Sequence, residues 1–406
     1  MNTNILKGAG AIAVLAVVVL GIVYWPNIKG TLPALQKPDQ DIAEVIDRNN
    51  DDPALPGENG TSFPLKLPDN MKIEVFARDL PGARVMAFGP DGSMWVTQTS
   101  KGAVTRLDVK DGKVATQEAI YTNLTSPHGL AFDTDGSMYV AEAGSVSVVN
   151  PAANPAFRKI ADLPTQGGGH STRTIEFGPD GRLYVSIGSS CNVCDESDPR
   201  RAAIYSMNRD GSDFKPFATG LRNSVFFDWA DLDGRMWATE NSRDLMGDDV
   251  PPDEVNLITA GGNYGWPTCY GANVHDTSFD KKAYIRNPCM EPMELPAKVE
   301  IQAHSAPLGM DFVPEEGWPE DYWYDIIVAL HGSWNRTEPT GYKLVRVKID
   351  AQGDYQGTED FITGWLQDGN ALGRPVDVLI QPGGTMYVSD DKAGVIYRIS
   401  RTIPAM

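Results

Sequence analysis

One phrase recurs along this chain: an apolar strand, a tight turn built on Asp-Gly or Gly-Gly, and a second alternating strand. It reads MAFGPDGSMWVTQ from Met86, LAFDTDGSMYVAE from Leu130 and IEFGPDGRLYVSI from Ile175. Looser copies are FDWADLDGRMWATE from Phe227 and VLIQPGGTMYVSD from Val378. Each copy is a β-hairpin signal. The turn glycines fall at positions 92, 136, 181, 234 and 384, and the first gaps of about 45 residues match one four-stranded propeller blade. The last gap, 150 residues, is too long for one blade. Within it, LGMDFVPEEGWPEDYWYDIIVALHG carries a degenerate copy with an enlarged turn. Six hairpins imply six blades. No long helical periodicity separates them, which excludes an alternating βα architecture, so an all-β, six-bladed β-propeller is expected over residues 70–402.

The rest of the chain sets the context. MNTNILKGAGAIAVLAVVVLGIVYW holds an apolar run from Gly8 to Trp25 without a charge, about the length needed to span a bilayer. It ends in IVYWPNIKG, with aromatic residues where a membrane interface places them and no small-x-small cleavage motif. Residues 1–30 are therefore expected to act as a signal-anchor, or else as a signal peptide, and residues 31–69, rich in Pro, Asp and Asn, as a tether. The remaining chain is expected in the periplasm, held at the inner membrane. Four cysteines suit that compartment, and Cys191–Cys194 and Cys269–Cys289 are expected to form local disulfides. The net charge of −19 argues against nucleic acid, whose phosphates need a basic surface. It suits solubility, or a basic partner drawn in by electrostatic steering.

Propeller geometry gives meaning to a histidine that follows three glycines in GGGHSTRTIEFGPDG. The innermost strand of each blade starts at the top face, beside the central channel, so residues just before these strands gather round the channel mouth. Seven residues before Phe177 lies His170, and seven before Trp229 lies Arg222, followed by Asn223. His304 and Ser305 precede Phe312 at a similar offset, Arg374 precedes Ile380, and His128 lies a little deeper. The long loops GSSCNVCDESDPRR, ENSRDLMGDDVPPDE and HGSWNRTEPTG return to the same face, where such a scaffold carries function. The second loop, with Glu240, Asp244, Asp248, Asp249, Asp253 and Glu254, has the hard oxygen ligands that suit calcium. A simply solvated acidic loop is the other reading.

The segments GLRNS, TENSRDLMGDDVPPDEVNLITAGGNYGWP, HSAPLG, HGSWNRTEPTGYKLVRV and GRPVDVLIQPGG resemble the sorbosone/aldose dehydrogenase branch of the soluble glucose dehydrogenase superfamily, whose members depend on pyrroloquinoline quinone (PQQ). The resemblance covers residues 70–402. It implies PQQ on the top face, held by calcium and by basic side chains. It implies a catalytic base at His170, quinone contacts from Arg222 and Asn223, and a grip on a cofactor carboxylate by Arg374, with His304 beside them. Backbone carbonyls at Ser242 and Arg243 match the calcium position, and Asp248 and Asp249 stand in the same loop. The family lysine has no direct counterpart, and Arg336 or Lys343 could serve in its place. The implied reaction is oxidation of a small sugar, with electrons passed to an acceptor such as a cytochrome or quinone. Where glucose enzymes carry an aspartate just before the histidine, this chain has Gly169, which leaves open what orients the imidazole. Two other readings stay open: a calcium-dependent lactonase-type hydrolase, and a binding propeller without catalysis.

Overall fold

The computed structural model describes residues 59–290, 294–350 and 352–402. The expected anchor, Gly8–Trp25, and most of the expected tether lie outside these residues. Among the described residues no helix is long and apolar enough to cross a membrane.

Six sheets follow one another along the chain, antiparallel save for the short edge strand Asn59–Gly60. The blades begin at the inner strands Ala83–Phe88, Gly129–Phe132, Ile175–Phe177, Phe227–Trp229, Pro307–Phe312 and Pro375–Gln381, numbered 1 to 6 here. In blades 1, 2, 3 and 5 the next three strands complete the sheet in order, and blade 4 takes its outer strand, Val299–Ile301, after a long insertion. Blade 6 is closed by the other end of the chain: Met71–Ala77 pairs antiparallel with Val395–Arg401 and supplies the fourth strand. The repeat explains the turns. Gly92, Gly136, Gly181, Gly234 and Gly384 all have φ between 67° and 82°, the left-handed region that only glycine enters without strain. The fifth hairpin replaces this tight turn by residues 313–325, which include the short 3-10 helix Glu320–Tyr322.

Blades pack face to face, so the second strand of a blade is covered on both sides. MWVTQ, LYVSI, MWATE and IIVAL are accordingly buried at every position. Such strands read as nearly continuous apolar runs rather than alternating ones. At one repeat position several second strands carry a hydroxyl that clasps the next blade. Thr97 donates to the His128 carbonyl at 2.9 Å, Thr239 to that of Leu308 at 2.8 Å and Ser389 to that of Arg84 at 2.7 Å. Ser186 does the same to Ser224. A buried hydroxyl left unpaired would cost about 1–3 kcal/mol, so each clasp also relieves that penalty.

The central channel encloses a cavity of about 390 Å³ whose wall includes Glu176, Asp228, Asp311 and Asp377. Two of these carboxylates knit neighbouring blades. Asp377 accepts from the Met86 N–H at 2.8 Å, and Asp311 from the Ile380 N–H at 2.5 Å. Burial raises Asp228 and Asp377 to about 7. Burial, and then the charges of Asp228, Asp311 and Asp377, raise Glu176 well above the usual carboxyl range. A carboxyl with a raised folded pKa holds its proton more tightly in the fold. Its contribution to stability is therefore lost as pH rises from about 4 through the folded value. Glu176→Gln is expected to raise the melting temperature at pH 8 and to leave it little changed at pH 5. An equal shift at both pH values would sink this account.

Candidate active site

At the channel mouth lies a cavity of about 220 Å³ whose wall includes His170, Arg222, Asn223, His304 and Arg374. All five stand just before inner strands, so the offset read from the sequence becomes a cluster in space. The loops that follow second strands add Asn241, Ser242, Asp244, His331, Trp334 and Asn335, and Asp253 joins them from the start of a third strand.

His170 is placed by glycines. Gly167, Gly168 and Gly169 all have positive φ, at 88°, 73° and 67°. A Cβ on Gly169 would stand within 2.5 Å of the Ser189 and Ser190 backbone, so no other residue lets the two loops meet. The His170 N–H donates to the Ser189 carbonyl at 3.0 Å. The His170 carbonyl accepts from Arg173 at 2.9 Å and Arg201 at 3.1 Å. Its ring faces the Ser189 hydroxyl through Nδ1 at 3.0 Å. Burial, and next the Arg222 charge, push the imidazole down to about 3, so it is neutral at physiological pH.

Arg222 is the hub of the loops. Its Nε donates to the Asn192 carbonyl, Nη1 to the carbonyls of Asn241 and Ser242, and Nη2 to Asn192 Oδ1 and Asp244 Oδ2, all between 2.7 and 2.9 Å. These five bonds engage all five of its N–H donors. It therefore offers the cavity its charge rather than further hydrogen bonds. Arg374 differs. Its Nε and Nη2 donate to the carbonyls of His331 and Gly332 at 3.0 and 2.9 Å, which leaves Nη1 for an anion entering the cavity. His304, with φ 66°, donates from Nε2 to the Gly247 carbonyl at 2.8 Å.

Of the residues named for calcium, Ser242, Asp248 and Asp249 have an oxygen on a protein donor. The Ser242 carbonyl accepts from Arg222, and the Arg243 side chain pairs with Asp276. The Asp248 carboxylate accepts from the Thr337 N–H at 3.0 Å, and Asp249 pairs with Arg336 at 2.8 Å. Arg336 thereby joins two loops away from the cavity wall. Lys343 lies on the third strand of blade 5 and pairs with Asp360, two strands out from the channel. The other acids of the second loop pin backbone: Glu240 accepts from the Asn223 N–H at 2.8 Å, and Asp253 from those of Ser242 and Ala306 at 2.9 and 2.8 Å. Glu254 accepts from the Gly271 N–H at 2.7 Å. Among the described residues, side chains at metal-ligand spacing occur only where a disulfide's two cysteines meet Glu196 or Glu294. Both expected disulfides are formed, Cys191–Cys194 and Cys269–Cys289.

His331, Trp334 and Asn335 were not singled out by the sequence reading. They sit in the HGSWN stretch, after a second strand rather than before an inner one. His331 donates from Nε2 to Asp391 at 3.0 Å, and Arg84 pairs with the same carboxylate at 2.9 Å. Asn335 Nδ2 donates to Asp244 at 3.1 Å, while its Oδ1 is buried without a partner among the described residues. His128 is fully buried behind this wall, between Arg84 and Thr174.

A family model described as TrAA12-like matches residues 65–402. An uncharacterised protein of Borreliella burgdorferi is 30% identical, covering 82% of this chain and 90% of its own length. Quinoprotein glucose dehydrogenase B of Acinetobacter calcoaceticus is 22% identical over 84% of this chain and 79% of its own. In three dimensions the chain is similar to the holo form of the PQQ domain of pyranose dehydrogenase from Coprinopsis cinerea. That pair is 21% identical, covers 84% of this chain and 97% of the other, and has a TM-score of 0.71. A calcium structure of a Trichoderma reesei carbohydrate-active enzyme of family AA12 matches at 22% identity, over 84% and 98% of the two chains, also with a TM-score of 0.71.

Proposed function

Because this chain belongs to the TrAA12-like family, we propose that it is a PQQ-dependent dehydrogenase that oxidises a sugar in the cavity at the channel mouth. The observation that carries this reading is a neutral imidazole, His170, sharing one cavity with the guanidinium groups of Arg222 and Arg374. PQQ is a planar tricarboxylate, and the donor set suits it. Arg374 would hold a carboxylate through Nη1, Asn223 would supply an amide, and the orphaned Asn335 Oδ1 would accept from a ring N–H. Arg222 would add charge. Calcium is given no step: the Ser242 carbonyl and the Asp248 and Asp249 carboxylates already meet protein donors.

His170 takes the proton of the substrate hydroxyl, as a neutral imidazole can. When bound, the quinone supplies the two-electron acceptor for the hydride leaving the same carbon. The Arg222 charge favours negative charge growing at the cavity, where water is partly excluded. Electrons would pass on to an acceptor such as a cytochrome or quinone. We place the enzyme in the periplasm, anchored by Gly8–Trp25, with its acidic surface suited to a basic acceptor.

The test is reconstitution. Purified protein given PQQ is expected to reduce an artificial dye only when an aldose or a sorbosone-like sugar is present. Failure to bind PQQ, with lactone hydrolysis in calcium alone, would replace this reading by the hydrolase one.

A further inference from the structure

The Nδ1 side of the His170 ring meets one hydroxyl, that of Ser189, at 3.0 Å. Ser189 is fully buried, and its hydroxyl has a single proton to give. That proton goes to the Cys191 carbonyl at 2.7 Å, an oxygen that can only accept. Toward the imidazole the hydroxyl therefore presents a lone pair. A ring nitrogen that faces a lone pair carries the proton, so Nδ1 is protonated and Nε2 is bare. The opposite assignment would set two acceptor oxygens against each other at 2.7 Å and leave a carbonyl unpaired, which a buried site penalises.

The surroundings hold this relay still. The Ser189 N–H donates to the Arg222 carbonyl at 2.7 Å, and its own carbonyl accepts from His170. The Cys191–Cys194 disulfide closes the turn that carries the accepting carbonyl. Asn192, inside that turn, binds the Arg222 guanidinium through both its carbonyl and its side chain. One short loop thus supports both the imidazole and the arginine.

We propose that Ser189 is a positioning residue: by spending its proton on the Cys191 carbonyl it fixes His170 as the Nδ1-protonated tautomer and keeps Nε2 bare. The use of Nε2 as the base rests on the dehydrogenase reading, whereas the tautomer does not. The proposal answers the question left by Gly169, where no carboxylate is present to orient the ring.

The experiment is imidazole nitrogen NMR on the full chain labelled with ¹⁵N-histidine, without cofactor, the His170 signals being assigned by their loss in His170→Gln. The wild type is expected to show a protonated Nδ1 and an unprotonated Nε2. Ser189→Ala should shift the tautomer ratio toward Nε2–H by about two- to tenfold, the usual worth of one hydrogen bond. Ser189→Thr, which keeps the hydroxyl, should retain the wild-type ratio. A proton on Nε2 in the wild type overturns the proposal, as does an unchanged ratio in Ser189→Ala. If Ser189→Ala does not fold, the wild-type and threonine spectra decide. The expected tautomer in a protein that oxidises no sugar with PQQ would uphold the placement by Ser189 and overturn the dehydrogenase reading.

Discussion

Replacing His170 by alanine is expected to lower kcat of the PQQ-loaded protein by about 10²–10⁴-fold, the usual worth of a general base. Cofactor affinity should change little. The side chain touches the protein through one hydrogen bond, to Ser189, and the loop around it is held by backbone. Arg173 and Arg201 bind the residue 170 carbonyl, and Ser189 binds its N–H, so all three contacts survive the substitution. The loss should therefore appear in the chemical step rather than in the fold. Turnover with a panel of sugars, beside a fluorescence titration of PQQ, checks both halves. Near-normal turnover in the alanine variant would remove His170 from the mechanism.

The fold was legible because its local chemistry repeats. Five turns demand a left-handed glycine at one position, and the strand after each turn is buried almost throughout because blades cover it. The ring closure was not legible. MKIEVFA, at residues 71–77, lies outside the repeated phrase, and its partner Val395–Arg401 is more than 300 residues away. Nothing local states such a pairing. The blade-to-blade clasps were visible as hydroxyls in the repeat, but only the neighbouring blade shows which carbonyl each one reaches.

The site divides along the same line. His170, Arg222, Asn223, His304 and Arg374 could be gathered from the sequence because propeller topology converts a fixed offset into nearness. Charge counting did worse in the acidic loop. It treats all six acids as free oxygens, whereas Glu240, Asp253 and Glu254 are spent on backbone N–H groups and Asp249 on Arg336. Lys343 fell outside because its ammonium turns outward to Asp360 on the outermost strand of its blade. Ser189 carries no motif at all. Its role depends on where one hydroxyl proton goes, and that is a matter of two distances.

Arg222→Ala should be the most damaging change to the architecture of the site. The guanidinium is buried, and it joins the loop at Asn192 to the loop at Asn241, Ser242 and Asp244. Its removal leaves three carbonyls without that donor, and Asp244, whose side chain is 20% exposed, without its counter-ion. Breaking a buried ion pair from one side costs about 3–5 kcal/mol. The partial access of water to Asp244 favours the lower end, about 3 kcal/mol. A urea titration followed by tryptophan fluorescence should show the loss. Lysine is not a substitute, because an ammonium is a point charge with three donors and cannot span both loops. Arg222→Lys is therefore expected to keep part of the affinity for an anionic cofactor while losing most of the stability that alanine loses. If both variants unfold within about 1 kcal/mol of the wild type, a margin typical of exposed pairs, the loops hold together without Arg222. Its place at the cavity would then be explained by charge alone.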